Sequence, residues 1–295
     1  MRPLPDLSIR QLEYLVAVAE EPTWALAAQR VGVSPSALSQ GLAELERRVG
    51  VALFERDGRR RLVRATSSPV VAHARQVLAL TADLADWSDR IASGHAGRLR
   101  LGMIDAAAVI HFPEELREFR NLHPDVELLL RVAPSGELID LLVGGGLDLV
   151  VCVDPPMPID GIRTEPLMSE TLAVYGPPDT TIGDPSTWGP WVLFPAGSHT
   201  RAVVVDLLAR LGAPIDVVAE SHQPDVVREM VRLGSGWTVL PTSQAEYGDR
   251  PLRGGRELTA RQLVLASRDG SISDPAVAAL ADRLRAGGQR RPRSA

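Results

Sequence analysis

The sequence predicts an α/β protein made of an N-terminal winged helix-turn-helix, one long connecting helix, and a body of alternating strands and helices. Three observations predict it. Apolar residues recur at helical spacing three times in the first 50 residues, and an arginine-rich hairpin signal follows them. A longer run then carries heptad spacing, and beyond Gly97 short apolar runs alternate with amphipathic stretches.

In the first helix Ile9, Leu12, Leu15, Val16 and Ala19 share a face, Ser8 is the N-cap, and Glu20-Glu21-Pro22 ends the pattern. Thr23 caps a second short helix, in which Trp24, Leu26, Ala27 and Val31 are expected to point inward before Gly32 stops it. The third starts at Ser34, with Pro35 in the first helical position, where a missing N–H costs nothing. Its apolar stripe is Leu38, Leu42, Leu45 and Val49, which leaves Ser36, Ser39, Gln40 and Ala43 on the other side. Small and amide side chains on such a face can approach base edges closely; the plainer reading is a solvated face. After Gly50, residues 51–54 and 61–63 flank Asp57-Gly58, a hairpin tip with Arg56, Arg59 and Arg60 around it. Three helices, a Ser-Pro start to the last and a basic wing together form a winged helix-turn-helix pattern.

Charge divides along the chain in the same way. The 295 residues carry a net charge of −5, and every basic side chain but histidine is arginine. Residues 28–64 hold eight arginines against four acids, whereas residues 65–295 hold 22 against 29. A polyanion would dock on the N-terminal part and be repelled by the rest. The single cysteine, Cys152, sits in an apolar run, which excludes an intramolecular disulfide framework and predicts a buried strand thiol. No apolar stretch approaches the roughly 18 residues of a membrane span, and Asp6, Arg10 and Glu13 stand where a signal peptide needs apolar residues. A cytoplasmic protein without membrane partners is expected.

The stretch from Ile9 to Val63 resembles the N-terminal signature of the LysR-type transcriptional regulators. The resemblance rests on Arg10-Gln11-Leu12-Glu13-Tyr14, Ala27-Ala28, Ser34-Pro35-Ser36-Ala37-Leu38-Ser39, Leu45-Glu46, Gly50 and Leu53-Phe54-Glu55-Arg56. It implies that the third helix, opened by Ser34 and Pro35, lays Ser36, Ser39 and Gln40 in the major groove. Arg56 and Arg59, with Arg60 beside them, would hold phosphate or enter the minor groove from the wing. The family's recognition helix commonly begins Ser-Gln-Pro; here Pro35 and Ser36 follow the serine, so one base-contacting amide is missing. The family's Thr-Glu-Ala-Gly after the wing is Thr66-Ser67-Ser68-Pro69 here, with Ser68 expected to cap the next helix.

That helix carries Val70, His73, Val77, Leu80, Leu84, Trp87 and Ile91 at alternating spacings of three and four, a seam along which two chains can zip. On spacing alone a core helix of a globular domain is as good a reading. The resemblance makes it a linker helix that pairs protomers in a homodimer or homotetramer.

In the body, residues 99–104, 126–132 and 147–153 read as strands with helices near 113–122 and 137–142 between them, which argues for a parallel sheet. A second set follows, with strands at 171–175, 191–194, 215–219, 237–240 and 263–266 and helices at 200–211, 224–233 and 275–284. Two lobes joined by crossings near 155–170 and 245–263 are what the family's two-lobed periplasmic-binding-protein-like effector domain looks like. His123-Pro124, Gly146-Leu147-Asp148-Leu149, Gly234-Ser235-Gly236-Trp237 and Leu240-Pro241 match its landmarks. The expected domains are 1–66 for the DNA-binding head, 67–94 for the linker helix and 95–290 for the effector domain. Lobe I is expected at about 95–165 and 264–290, lobe II at about 166–263.

A ligand in such a fold sits outside the carboxyl ends of strands, at helix N-termini. Asp105, Ala106, Ser135, Asp154, Ser198, His199, Thr200 and Arg201 occupy those places, and the resemblance puts Ala106, Ser135, Ser198, His199 and Thr200 in the effector-contacting region. Ser198 and Thr200 read equally as helix caps. A carboxylate at Asp105 disfavours a purely anionic effector, while Arg201 could take a carboxylate, so an amine-bearing or zwitterionic molecule is expected. No metal, cofactor or catalysis is expected: the six histidines lack metal-ligand spacing, Gly-x-Ser-x-Gly is missing, and Gly144-Gly145-Gly146 lacks the lysine of a phosphate loop. The rival readings are a cytoplasmic small-molecule-binding protein or enzyme on a periplasmic-binding-protein-like fold, and a transporter's solute-binding protein.

Overall fold

The computed structural model describes residues 6–57, 60–93, 97–272 and 274–290. They form two compact units, one built on the residues up to Ser93 and the other holding most of the residues after it.

In the first unit the caps fall where the residue types require. α1 (Ile9–Glu20) opens on a capping box: the Ser8 side chain accepts from the Gln11 N–H, and the Gln11 side chain accepts from the Ser8 N–H. Thr23 accepts from Leu26 at the start of α2 (Trp24–Arg30), and Ser34 accepts from Ala37 at 3.2 Å at the start of α3 (Pro35–Val49). Ser34→Ala is expected to lower stability by about 1 kcal/mol, read as a lower urea midpoint with an unchanged slope. Gly50 ends α3 at a φ of 79°, a conformation other residues adopt at a cost. Leu15, Ala27, Leu38, Leu42, Leu45 and Leu53 are buried together. α3 approaches α1 so closely that a Cβ on Gly41 would lie 2.7 Å from the Tyr14 ring.

Leu26, expected inward, is 44% exposed, and Ala28 is buried instead. Positions 24, 27, 28 and 31 make one helical face, and 26 lies off it. The hairpin strands are β1 (Phe54–Asp57) and β2 (Arg60–Val63), antiparallel with Phe54 opposite Val63. β1 starts later than the apolar run, and the Leu53 and Phe54 N–H groups at its entry donate to Glu46. A 3₁₀ turn, Ala65–Ser67, leads into α4 (Ser68–Ser93), so Ser68 is its first helical residue and not its cap. Val71 and Ala74 are buried in the head core, and the seam residues Val70 and Val77 pack partly against it. Leu84 and Trp87, further along the seam, are 52% and 41% exposed. The Ile91 side chain lies outside what the structure describes.

The second unit begins as the alternation predicts. β3 (Arg98–Met103) runs parallel to β4 (Glu127–Val132) and β5 (Leu149–Val153), with α5 (Pro113–Leu122) and α6 (Ser135–Val143) as crossovers. β6 (Ile162–Tyr175), β7 (Trp191–Leu193), α7 (His199–Arg210), β8 (Val217–Glu220), α8 (Pro224–Arg232) and β9 (Thr238–Pro241) follow. The short α9 (Thr242–Ala245), β10 (Arg256–Arg268) and α10 (Pro275–Arg290) complete it.

The main sheet has the order β4-β3-β5-β10-β6-β9, and β7 pairs in parallel with β8. It is mixed and not parallel throughout, because β10 runs antiparallel to both β5 and β6, and β9 antiparallel to β6. The crossings between lobes are strands themselves. β6 and β10 continue through both halves: Leu263–Ala266 pair with Val150–Val153 of the first, and Leu172–Tyr175 pair with β9 of the second. The expected strands 171–175 and 263–266 are only the apolar ends of these two. Their middles hold Pro166, Glu170, Arg261 and Gln262, which break an apolar run without breaking the ladder. Pro166 is accommodated at a register shift that leaves Leu167 unpaired. Phe112 and Phe119 are buried in the first half; in the second Trp188 stacks on Trp237 at 6.1 Å, with Trp191 edge-on.

Candidate functional site

On the head, Ser36 and Gln40 are exposed and Ser39 half-buried on the outward side of α3. Ser34 and Pro35 open the helix in the open as well, with the Ser34 hydroxyl 2.9 Å from that of Ser36. Many of the basic side chains around them are already paired. Arg30 meets Glu20 at 2.8 Å, Arg47 and Arg48 share Glu44, and Arg64 lies 3.5 Å from Glu55. Hydrogen bonds from Arg47 and Arg48 hold the Glu44 carboxyl below its usual range. Exposed pairs of this kind hold their members only weakly, so a phosphate can compete for the arginines. Arg56, exposed on β1, has no ion-pair partner among the described residues. Arg59 lies outside the described residues, and Arg60 is placed by its backbone in β2 but not by its side chain.

Arg61 is held differently. Its guanidinium lies 4.8 Å from the Trp24 ring centroid and 4.7 Å from that of Phe54, and it donates to Glu46 at 2.7 Å. The other Glu46 oxygen accepts from the N–H groups of Leu53 and Phe54, and the Trp24 ring N–H donates to the Arg61 carbonyl at 2.8 Å.

The body contains a cavity of about 620 Å³ at the carboxyl ends of its parallel strands. Ile104, Asp105 and Ala106 follow β3, Ala133 to Ser135 follow β4, and Val153 ends β5. Phe194 and Ser198 follow β7, His222 to Asp225 follow β8, Thr200 lies in the first turn of α7, and Gln244 and Arg261 come from α9 and β10. The first turns of α6, α7 and α8 therefore meet it, a setting in which backbone N–H groups attract electron-rich ligand atoms. Ser198 and Gln223, the residues before α7 and α8, make no side-chain cap, unlike Ser8, Thr23 and Ser34.

Five of the eight expected residues line this cavity: Asp105, Ala106, Ser135, Ser198 and Thr200. Ser135 is buried and accepts from the Val153 N–H at 3.2 Å. Three do not line it. His199 donates from Nδ1 to the Val153 carbonyl at 3.1 Å, and the Asp154 N–H donates to Gln262 while its side chain is exposed. Arg201, expected to face a ligand carboxylate, donates instead to the Phe194 carbonyl at 2.6 Å and pairs with Glu220 at 3.0 Å. Successive helical residues point about 100° apart, so the stretch opening α7 cannot face one cavity throughout.

Among the described residues Arg261 is the arginine that lines the cavity, and sequence reading misses it because the apolar run of its strand starts only at Leu263. Glu170, directly opposite it in the ladder, pairs with it at 2.6 Å. Glu170 also accepts from His111 Nε2 at 2.5 Å and from the Ser243 hydroxyl at 2.7 Å, while Arg261 donates to Thr200 at 2.7 Å. A turn of π-helix, Ala107–His111, brings His111 to this cluster. Burial raises the Glu170 carboxyl, but the Arg261 charge and the His111 and Ser243 hydrogen bonds outweigh it and hold the group down to about 2. Gln244, also missed, is buried; it donates to Asp105 at 3.3 Å, and its own oxygen has no donor among the described residues. Cys152 is fully buried in β5, where desolvation, helped by Asp154, pushes its thiol up to about 12.

Comparison with known proteins separates the same two parts. Residues 9–68 match the family model of the bacterial regulatory helix-turn-helix protein, lysR family, and residues 92–289 match that of the LysR substrate binding domain. The uncharacterized HTH-type transcriptional regulator YnfL of Escherichia coli strain K12 is 29% identical over 81% of this chain and 83% of its own length. The probable hydrogen peroxide-inducible genes activator of Streptomyces viridosporus is 28% identical over 94% and 93%. Among solved structures, full-length LysG from Corynebacterium glutamicum with bound effector Arg superposes with a TM-score of 0.64 at 20% identity, covering 97% of this chain and 100% of that one. That likeness is one of fold.

Proposed function

Because the chain belongs to the LysR-type family of transcriptional regulators, we propose that it works through the α3 face and hairpin on double-stranded DNA and through the body cavity on a small-molecule effector. The observation that carries this reading is the cavity walled by the starts of α6, α7 and α8, in a chain headed by a helix-turn-helix. Ser36, Ser39 and Gln40 meet base edges, Ser34 and Pro35 set the first turn against the backbone, and Arg56, Arg59 and Arg60 meet phosphate or the minor groove. Residues 1–66, 67–94 and 95–290 serve as head, linker and effector domain. The apolar exposure of Leu84 and Trp87 supports pairing of α4 with a second copy, in a homodimer or homotetramer. An effector shifts the DNA-bound arrangement only through its different affinity for two arrangements. Footprinting of the DNA upstream of the protein's own gene, with and without metabolites, is expected to show a protected site whose extent changes with one of them. An unprotected region under every condition would overturn the reading.

The effector carries an amine, alone or within a zwitterion. Asp105 presents an exposed carboxylate on the cavity wall, met by the neutral Gln244 amide. The LysG structure holds arginine, a molecule of that chemistry. In calorimetric titrations against amino acids, amines and aromatic acids, Asp105→Asn is expected to bind the amine-bearing probes about tenfold or more weakly than wild type, about 1.4 kcal/mol. Equal affinity of both proteins for every amine tried would overturn it. The peroxide response in the name of the Streptomyces relative has no support here. The one cysteine is buried, with its thiol pushed up to about 12, and the thiolate that would attack peroxide is suppressed.

A further inference from the structure

We propose that Arg61, although it belongs to the arginine-rich wing, is a positioning residue that fixes the wing on the recognition helix and makes no phosphate contact itself. The inference rests on the reading of α3 and the hairpin as the DNA-binding face. A hairpin of two four-residue strands is marginal by itself, so something must hold β1 and β2 in place against α3. Arg61 does so from three sides. Its guanidinium lies over the rings of both Trp24 from α2 and Phe54 from β1, which themselves meet edge-to-face at 5.1 Å. Its charge is met by Glu46 of α3 at 2.7 Å, and its carbonyl holds the Trp24 ring N–H.

Glu46 is the other half of the clamp. One oxygen takes Arg61 and the other takes the two backbone N–H groups where the chain turns from α3 into β1. A phosphate that captured Arg61 would have to pull it from two rings and leave Glu46, only 20% exposed, without its cation. Arg56, exposed and without an ion-pair partner among the described residues, meets no such obstacle. The arginines of the wing thus differ in role, since Arg61 sets where the hairpin stands and Arg56 faces outward from it.

The two roles give opposite signs in one experiment. Full-length wild type, Arg61→Met, Glu46→Gln and Arg56→Ala are titrated onto a duplex selected by the wild-type protein from a random pool, between about 50 and 200 mM salt. A positioning Arg61 predicts that Arg61→Met binds at least about tenfold more weakly at every salt concentration, with the wild-type slope of log K against log salt. Arg56→Ala should lower that slope by about 0.9 per head, the loss of one phosphate contact. Glu46→Gln removes a negative charge close to the DNA, yet it should weaken binding because the clamp is lost. A phosphate-contacting Arg61 predicts the reverse: a slope reduced by about 0.9 per head in Arg61→Met, and tighter binding by Glu46→Gln, which frees the guanidinium. Either result, or Arg61→Met binding with wild-type affinity, overturns the proposal. Were Arg61→Met to unfold, Glu46→Gln alone decides by its sign. A wild-type protein that selects no duplex would instead sink the reading of the head, so the two failures are distinguishable.

Discussion

Glu170→Ala is expected to destabilise the body by about 3–5 kcal/mol at neutral pH, the loss typical of breaking one partner out of a buried ion pair. Glu170 is 3% exposed and Arg261 5%, so the alanine variant leaves a guanidinium deep in the fold with its countercharge gone. His111 and Ser243 lose their acceptor in the same change. The pH dependence has a definite sign. The folded carboxyl is held to about 2, below its ordinary value of 4.5, so its contribution is present above pH 4.5 and is lost as pH falls toward 2. Urea unfolding of wild type and Glu170→Ala at pH 7 and at pH 3 checks both parts. The gap between the proteins should be wide at pH 7 and narrower at pH 3, and a gap that widens on acidification would refute the assignment.

Removing residues 1–64 is expected to abolish specific DNA binding, with affinity for a selected duplex falling by about a thousandfold or more at physiological salt. The argument is electrostatic as well as structural. The remaining 231 residues hold 22 arginines and 29 acids, so what is left repels a polyanion. The lost part contains α3 and the wing. A gel shift with the full chain and the fragment on the same duplex checks it, and a fragment that retained the full affinity would place the DNA-binding surface elsewhere.

The head is readable in the sequence because its information is local. Ser8, Thr23 and Ser34 are caps by residue type, Pro35 fits a first helical turn, and the stripe Leu38, Leu42, Leu45 needs only helical spacing. Leu26 is misread when apolar character is equated with burial without asking on which face position 26 falls. In the body the parallel strands and their crossovers are legible for the same reason, and so are the strand ends that wall the cavity. What is not legible depends on pairs far apart in the chain. Glu170 and Arg261 are polar residues in the middle of strands, and only their mutual register makes them an interior pair. Gln244 meets Asp105 across 139 positions, and no spacing rule announces such a meeting. Arg201 has the place of an anion receiver near a helix start, but its neighbours Phe194 and Glu220 already engage it.

β6 and β10 each belong to both halves of the body, and they pair with each other from Ile162 to Val174 along their length. Any reorientation of the halves therefore has to be absorbed as torsion of a single two-stranded ribbon, without parting its backbone hydrogen bonds. A one-residue insertion at the middle of either strand would turn the side chains of one half inside out while leaving the other half in its native sense. The ribbon is thus both the axle of the body and the place where its two cores are least forgiving of a change in chain length.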